Sequence, residues 1–510
     1  MDPTKIHLEH AHRNPLLDNE ETFQEIMAGQ LSRAPWLLLS IVIHVAVIGL
    51  LWLIPAEGGA GDQTAATMQI KQKEDDIEEE PPPEEKPVEE KPVEEPTLQD
   101  AEVVPTEVAE TESFDETDSV ESAFDSNAWN TAVGLGGGAA GKFGGRAGGR
   151  GRLGGRGGRL TAQAIEAGLQ WLKDHQDEDG KWDCDSFMKH DENGEPCTGP
   201  GDPLHDVGVT GLALLAFLGD GSTLKAGPYK DVIKSGVNWL RQQMDEDTGL
   251  IGTEASHHFI YDHTIATLAL CEAYGLSQYR TLKPYAQRAI NYLESHRNPY
   301  GCWRYAPRGG DNDISITGWA VLAYISAKEF GLLTDKKALE FADSYIDEMT
   351  DPNGRTGYSE RGGLSSRHKG KHEIDFPADR TECMTAVGLL CKYFLMAQDA
   401  KPTATMAAQA NILQKKPPMW KKDEKGSSID HYYWYYGTYA MYQVGGAAWD
   451  NWSKSLTEAV LKTQRADGNA KGSWDPVDAW GEDGGRVYST ATLVLTLEAY
   501  YRYARVLGGR

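Results

Sequence analysis

The feature that most constrains this chain is a sequence frame that returns six times after Thr161. In its fullest form it runs Gly168-x-x-Trp171-Leu172-x-x-x-Gln176-x-x-x-Gly180-x-Trp182. The same frame, with substitutions, recurs around Trp239, Tyr292, Tyr345, Ile412 and Ala459, at spacings of 68, 53, 53, 67 and 47 residues. The copy from Tyr292 to Trp303 keeps every spacing, with Arg297 in the glutamine place, while the fifth and sixth copies are degenerate. A period of this length marks one supersecondary unit, copied because a single copy cannot bury its apolar face alone. Each frame reads as a helix that ends in an Asp/Asn-Gly turn, where glycine supplies the left-handed backbone.

Between frames lies a second, more apolar helix. These helices are expected to start near Asp206, Tyr261, Asp313, Glu382, Asp430 and Gly485, and several stop at a glycine (Gly219, Gly275, Gly331, Gly445). Runs such as Thr210-Gly-Leu-Ala-Leu-Leu-Ala216 are apolar on every side, so both faces must be covered. Six amphipathic helices alternating with six buried ones close into a double ring. The expectation is an all-α fold, a single six-hairpin α/α toroid over 160–510.

The part before the repeats is built differently. Residues 1–35 form an N-terminal tail, and 36–54 is a run of 19 uncharged residues, long enough to cross a bilayer as one helix. Residues 55–133 form an acidic Pro/Glu-rich tether. From Glu74 to Asp125 there are 22 acids against two bases, a large share of the chain's net charge of −27. So few apolar residues cannot offset the ordering entropy, and the tether is expected to be disordered. Residues 134–159 are a Gly/Arg-rich linker with six bases and no acid. Arg-Gly-Gly runs bind RNA in some settings, but behind an anchor the expectation is contact with lipid headgroups or the acidic tether, with no nucleic acid as partner. None of the six cysteines forms a C-x-x-C pair, and Cys184 with Cys197 is the one pair that shares a polar loop.

Two resemblances follow from these residues. Gln176-x-x-x-Gly180-x-Trp182 is similar to the QW motif of squalene cyclases, and the six-pair order resembles the prenyltransferase and squalene-cyclase repeat superfamily, a terpenoid cyclase-like α/α toroid, over about 350 residues. Squalene cyclases have two such domains, whereas this chain has room for one, closer in size to the β subunit of protein prenyltransferases. In the anchor, Ser40 and His44 lie on one helix face, and with the Pro-Glu-Lys tether they resemble TonB. That resemblance implies a Ser40/His44 face coupled to a proton-driven motor complex, a cytoplasmic N-terminus, and a single-pass protein of the inner membrane with its toroid in the periplasm. A plain anchor in which His44 pairs locally is the alternative. No TonB C-terminal domain follows.

In a toroid the inner-helix N-termini gather at the mouth, so functional groups are sought just before them. They are Asp206, Asp262 and His263, Asp311 and Asp313, Asp379 to Cys383, Asp430 to Tyr432, and Arg486 to Tyr488. The cyclase motif D-x-D-D-T-A is met only by Asp311-Asn-Asp313-Ile-Ser-Ile. Asp313 takes the acid position, with Asp311 beside it, but the neighbouring acid and the Thr-Ala are lost. Asp313 as a helix cap is the other reading. Asp379, Cys383 and His431 are the residue types that hold zinc in prenyltransferases, but the family's Asp-x-Cys has become Asp-x-x-x-Cys. The expectation is therefore no cofactor, with zinc at that trio as the alternative. The Cys-Gly-Glu-Gln of complement-like thioester domains is absent.

Tyr432, Tyr435, Tyr436, Tyr439 and Tyr442 form one face of the fifth inner helix, suited to stacking on a ligand or to filling a core. An insertion carrying Arg355, Arg361, Arg367, His368, Lys369, Lys371, His372 and Arg380 could meet an anion at the mouth, or be a solvated basic loop. The expected ligand cavity is lined by Tyr432, Tyr435, Tyr436, Tyr439, Asp262, His263, Arg380, Arg486 and Tyr488. The functional expectation is a membrane-anchored envelope protein whose toroid binds an extended, apolar or isoprenoid-like ligand or a protein partner. An isoprenoid-handling enzyme and a TonB-like energy transducer are the alternatives.

Overall fold

The computed structural model describes residues 155–502, apart from 193, 278, 398 and 399. The expectations for the tail, the membrane span with Ser40 and His44, and the tether lie outside the described residues. Among the described residues no helix is long and apolar enough to cross a membrane.

Twelve helices carry the fold, alternating between two sequence patterns. The first of each pair is amphipathic. In α1 (Gly155–Asp174), Thr161, Ala164, Ile165, Gly168, Leu169 and Leu172 are buried while Gln163, Glu166, Gln170 and Lys173 are exposed, the 3.6-residue period of a helix with one covered face. The same class comprises α3 (Lys230–Gln242), α5 (Lys283–His296), α7 (Lys336–Met349), α9 (Ala404–Gln414) and α11 (Gly446–Leu461). The second of each pair is apolar nearly all round. In α2 (Asp206–Gly219) every residue from Val207 onward is buried. Its class comprises α4 (Phe259–Ser277), α6 (Ile314–Glu329), α8 (Cys383–Leu395), α10 (His431–Val444) and α12 (Gly481–Leu497).

Contacts between helices close the ring. The even-numbered helices pack in the cycle α2, α4, α6, α8, α10, α12 and back to α2; α3, α5, α7 and α9 each pack outside against the inner pair they join, and α11 packs on α10 and on its outer neighbours α9 and α1. The first outer helix packs on α12, α2 and α11, which seals the last hairpin to the first. The chain is therefore an all-α double ring of six hairpins, with a two-residue β-hairpin, Lys422–Asp423 with Gly426–Ser427, as its sheet among the described residues.

The repeated frame explains how the outer helices are spaced. Trp182 is fully buried and donates from Nε1 to the Leu172 carbonyl at 2.6 Å; Trp303 does the same to Leu293 at 2.9 Å. Gln176 donates to the carbonyls of Gly180 at 2.8 Å and of Val232, in α3, at 3.0 Å, so one amide closes its own turn and grips the next outer helix. Arg297 repeats this with Gly301 and with Asp335, which caps α7. Gly180 has a φ of 102°, and a Cβ there would collide with the Ser235 carbonyl of α3, so both the turn and the close approach need glycine.

The sixth frame, degenerate with Leu456 and Ala459 in the glycine and aromatic places, still makes the frame's closing bonds. Gln464 donates to Gly472 and to Ala164 of α1, both at 2.8 Å, and Trp474 donates to Val460 at 2.9 Å. An insertion in the turn hides the motif from a fixed-spacing reading. Helix α1 begins at Gly155, inside the stretch read as linker. The sixth inner helix has its break, not its start, at Gly485, where φ is 64°.

At the far end of the inner helices, Arg502 is fully buried and bonds Glu272 of α4, Glu498 after α12 and the Leu215 carbonyl of α2. The ring is thus fastened below by one guanidinium. Its axis is filled by aromatic rings: Trp319 stacks on Tyr435 at 5.5 Å, and Tyr436 and Tyr439 pack edge-on against Tyr435.

Candidate functional site

Above that aromatic plug, the mouth holds a cavity of about 380 Å³. Its floor comes from residues a turn or more into the inner helices, among them Val209, Leu212, Ile265 and Trp319. Its rim comes from the loops before those helices and carries four histidines, His205, His257, His258 and His368, with Asp483 and Trp480.

His205 closes the short turn Pro203–His205, which Asp202 starts by accepting from Leu204 N at 2.9 Å. The ring is then held across the gap between α2 and α4: Nδ1 lies 2.9 Å from Oδ2 of Asp262. Only glycine at 208 leaves room for this carboxylate, since a Cβ there would strike Asp262 Oδ1. Burial pulls His205 down, but the hydrogen bond and charge of Asp262 outweigh it, leaving the imidazole above its ordinary value. Burial also raises Asp262 against the pull of His205. The pair therefore holds its proton firmly, and a carboxylate-oriented histidine facing a cavity is suited to moving a proton or donating to a ligand.

The other histidines are arranged by aromatic contact. His257 lies 4.3 Å from the Tyr305 ring, and His258 lies between His205 and His368, at 6.3 and 6.2 Å. Burial holds His258 below the ordinary histidine value, so it stays neutral and offers both a donor and an acceptor.

One stretch of the basic insertion roofs this site. Ser365, Ser366, Arg367 and His368 face the cavity. Arg367 is nearly buried, pairs with Asp430 at 2.7 Å, and stacks over Trp480 at 5.3 Å. Its remaining donors go to the carbonyls of Phe376 and Ser366 and to Thr381, so it is a structural cation and not a free anion receptor. Arg355 pairs with Glu382, Arg361 with the Thr350 carbonyl, and Arg380 with Asp423. Three of the insertion's arginines are thus paired with carboxylates, on Glu382, Asp430 and Asp423.

Of the residues expected at the cavity, Asp262, Tyr432, Tyr488 and Cys383 line it. Asp311 is ion-paired with Arg304 at 2.7 Å at the surface. Asp313 is wholly buried and caps α6, accepting from Ile316 N at 2.8 Å. Burial raises it to about 7, and it is screened from the cavity by Tyr358, 3.2 Å away, which in turn meets Tyr305 at 2.7 Å. His263 is a core residue: its ring nitrogens meet Ile251 N and the Ala289 carbonyl, and burial lowers it to about 3. Arg486 is buried among Thr198, Ser473 and Asp475, away from the cavity lining. Tyr435, Tyr436 and Tyr439 belong to the plug below the floor; Tyr439 donates to the Leu495 carbonyl at 2.6 Å.

The zinc trio is not assembled, because the donor atoms of Asp379, Cys383 and His431 do not come within 4.8 Å of one another. His431 is fully buried between Trp420 and Trp434, with Nδ1 3.4 Å from Asp478, and burial lowers it to about 3. Cys184 and Cys197 are both buried and unbridged.

His205, His257 and His258 are absent from the expected set. The available signal is positional: His205 immediately precedes α2, and the His257-His258 pair immediately precedes α4.

No family model matches the chain, and no curated protein matches it. Among solved structures, the type II terpene cyclase MstE from Scytonema is similar at 15% identity, covering 67% of this chain and 97% of that one, with a TM-score of 0.41. An unsaturated glucuronyl hydrolase specific for heparin is similar at 12% identity over 68% and 97%, with a TM-score of 0.46. An alpha-amylase from Clostridium perfringens is similar at 12% over 66% and 98%, with a TM-score of 0.44. Likeness this remote does not bear on activity. The ring stands on the chain's own contacts.

Proposed function

We propose that the helical ring is a ligand-binding module that takes an amphipathic molecule at its mouth, with an apolar or isoprenoid-like body on the floor and a polar head at the rim. The observation that carries this reading is the partition of the cavity wall: Val209, Leu212, Ile265 and Trp319 below, four histidines above. Apolar walls with a few convergent polar groups are what small-molecule sites have in common. In this reading the N-terminal region anchors the protein in the inner membrane and the tether presents the ring in the periplasm. A motor complex contacting Ser40 and His44 belongs to the same proposal.

The test uses the full-length chain. Native mass spectrometry should find a co-purified amphipathic molecule, and Leu212→Trp, which fills the floor, should release it while circular dichroism stays helical. A ligand retained at full occupancy in Leu212→Trp would refute the site.

A second reading, an isoprenoid-handling enzyme, is favoured by one observation, the His205–Asp262 pair facing the cavity. Here His205 would exchange a proton with the bound molecule, since Asp313 is shut behind Tyr358. Turnover of a prenyl substrate lost in His205→Asn, with binding kept, would support it. Turnover unaffected by that change would remove it.

A further inference from the structure

We propose that His175, Asp191 and Cys197 form a zinc site that fastens the first long loop to the end of α1, at the seam where the last hairpin meets the first. Their donor atoms all lie within 4.8 Å of one another, away from the mouth cavity.

The argument turns on one histidine. Nδ1 of His175 lies 2.8 Å from the Trp171 carbonyl. A carbonyl only accepts, so Nδ1 carries the ring proton and a neutral imidazole presents a bare lone pair at Nε2. That lone pair faces Oδ1 of Asp191 at 3.3 Å. A carboxylate oxygen also only accepts, so two lone pairs confront each other with side chains 5% and 7% exposed. Such a contact needs a second proton or a metal ion between the atoms. A third donor beside the pair, the Cys197 sulfur, favours the metal.

Cys197 supplies the third donor. The loop brings it back to Asp191, whose Oδ2 accepts the Cys197 backbone N–H at 2.5 Å. Without a metal, burial and the Asp191 charge push the thiol up to about 12; a divalent cation reverses that local sign and binds the thiolate, releasing its proton to solvent. One nitrogen, one oxygen and one sulfur suit zinc, with a fourth position left for water. The Nδ1–H bond to Trp171 is the kind of outer contact that orients a ligating imidazole. The other cluster of this kind, Asp183, Asp185 and Asp206, differs because Lys181 and Lys189 already sit on its carboxylates.

The site is placed to stiffen the closure of the ring. Trp171 donates to the Asn469 carbonyl at 2.9 Å, and Asn469 exchanges bonds with the backbone of Glu192 and Glu195. Asn469 belongs to the turn of the sixth frame. A metal on His175, Asp191 and Cys197 therefore pins both the first loop and the last repeat.

Full-length protein purified without chelator should carry about one zinc per chain, with a single sulfur in its coordination shell by X-ray absorption. Replacing zinc with cobalt should produce a thiolate-to-cobalt charge-transfer band. Cys197→Ser should abolish that band, whereas Cys184→Ser should keep it, because the Cys184 thiol lies against the carbonyls of Asp483 and Gly484 instead. A chain that holds neither metal after dialysis, a wild-type shell without sulfur, or a band that survives Cys197→Ser would overturn the proposal in favour of an imidazolium–carboxylate pair. The absorption measurement needs no variant, so it decides even if Cys197→Ser fails to fold.

Discussion

Two long loops cross the mouth of the ring, 175–205 between α1 and α2 and 350–382 between α7 and α8, and they hold on in different ways. They produce the two widest frame spacings, 68 and 67 residues. The first is acidic, with nine acids against two bases over 175–205, and its end is tied to α12 through backbone: Asp202 N to Asp483 O and Arg486 N to Gly199 O, at 2.7 and 2.9 Å. The second balances six acids with six Lys and Arg over 350–382, and side chains tie it down, with Arg355 on Glu382, Arg367 on Asp430 and Tyr358 on Asp313. A loop held by main-chain bonds tolerates the loss of one side chain. A loop held by buried charges does not, because the partner left behind is stranded in a poorly solvated place. The loops also differ at the cavity: the second contributes Tyr358, Ser365, Ser366, Arg367 and His368, the first only His205 at its end.

The largest effect is expected from Arg367→Ala, which strands Asp430, 1% exposed, and should cost about 3–5 kcal/mol in urea unfolding. A cost near zero would erase the contrast between the loops. Next is the pH response of Asp313. Its folded value, about 7, lies above the ordinary 3.8, so its contribution is complete below pH 3.8 and is lost as pH rises through about 7. Asp313→Asn keeps a capping oxygen and cannot ionise. From about pH 4 to about pH 8 the wild type should lose on the order of 3–4 kcal/mol relative to that variant. Parallel stability curves would show that the carboxylate is tolerated in place.

Arg486→Ala removes a buried side chain that reaches the acidic loop from α12, through the Thr198 carbonyl at 2.7 Å. Its other partner, Asp475, is half-exposed and can rehydrate, so about 1–3 kcal/mol is expected. A loss larger than that of Arg367→Ala would reverse the comparison. The smallest effect belongs to Lys189→Ala. Lys189 bonds Asp177 and Asp183 but is 45% exposed, and less than about 1 kcal/mol should be lost.

The cavity shows where sequence reading runs out. The tyrosine face of α10 is visible as a period, yet a period specifies a direction around a helix and not a depth along the ring. Tyr432, one residue into α10, reaches the cavity, while Tyr435, Tyr436 and Tyr439 lie deeper and fill the axis. Arg380 and Arg486 look like anion receptors until Asp423 and Asp475 are found beside them. The histidines before α2 and α4 stand in loops, outside any period. The closing bonds of the sixth frame are missed for a similar reason: Gln464 and Trp474 keep their roles across a longer turn, and only the geometry of the turn reveals it.

The alternation of amphipathic and fully apolar helices, the six frames, and the inner-helix starts to within two residues for five of the six are written in the chain itself. They depend on local periodicity, which each segment carries alone. The cavity, the plug beneath it and the neutralisation of its charged roof were decided by the closed ring. They depend on pairs far apart in sequence, such as His205 with Asp262 across 57 residues and Arg367 with Asp430 across 63. Whether a charged or aromatic side chain is a site or a support depends on what the fold sets against it.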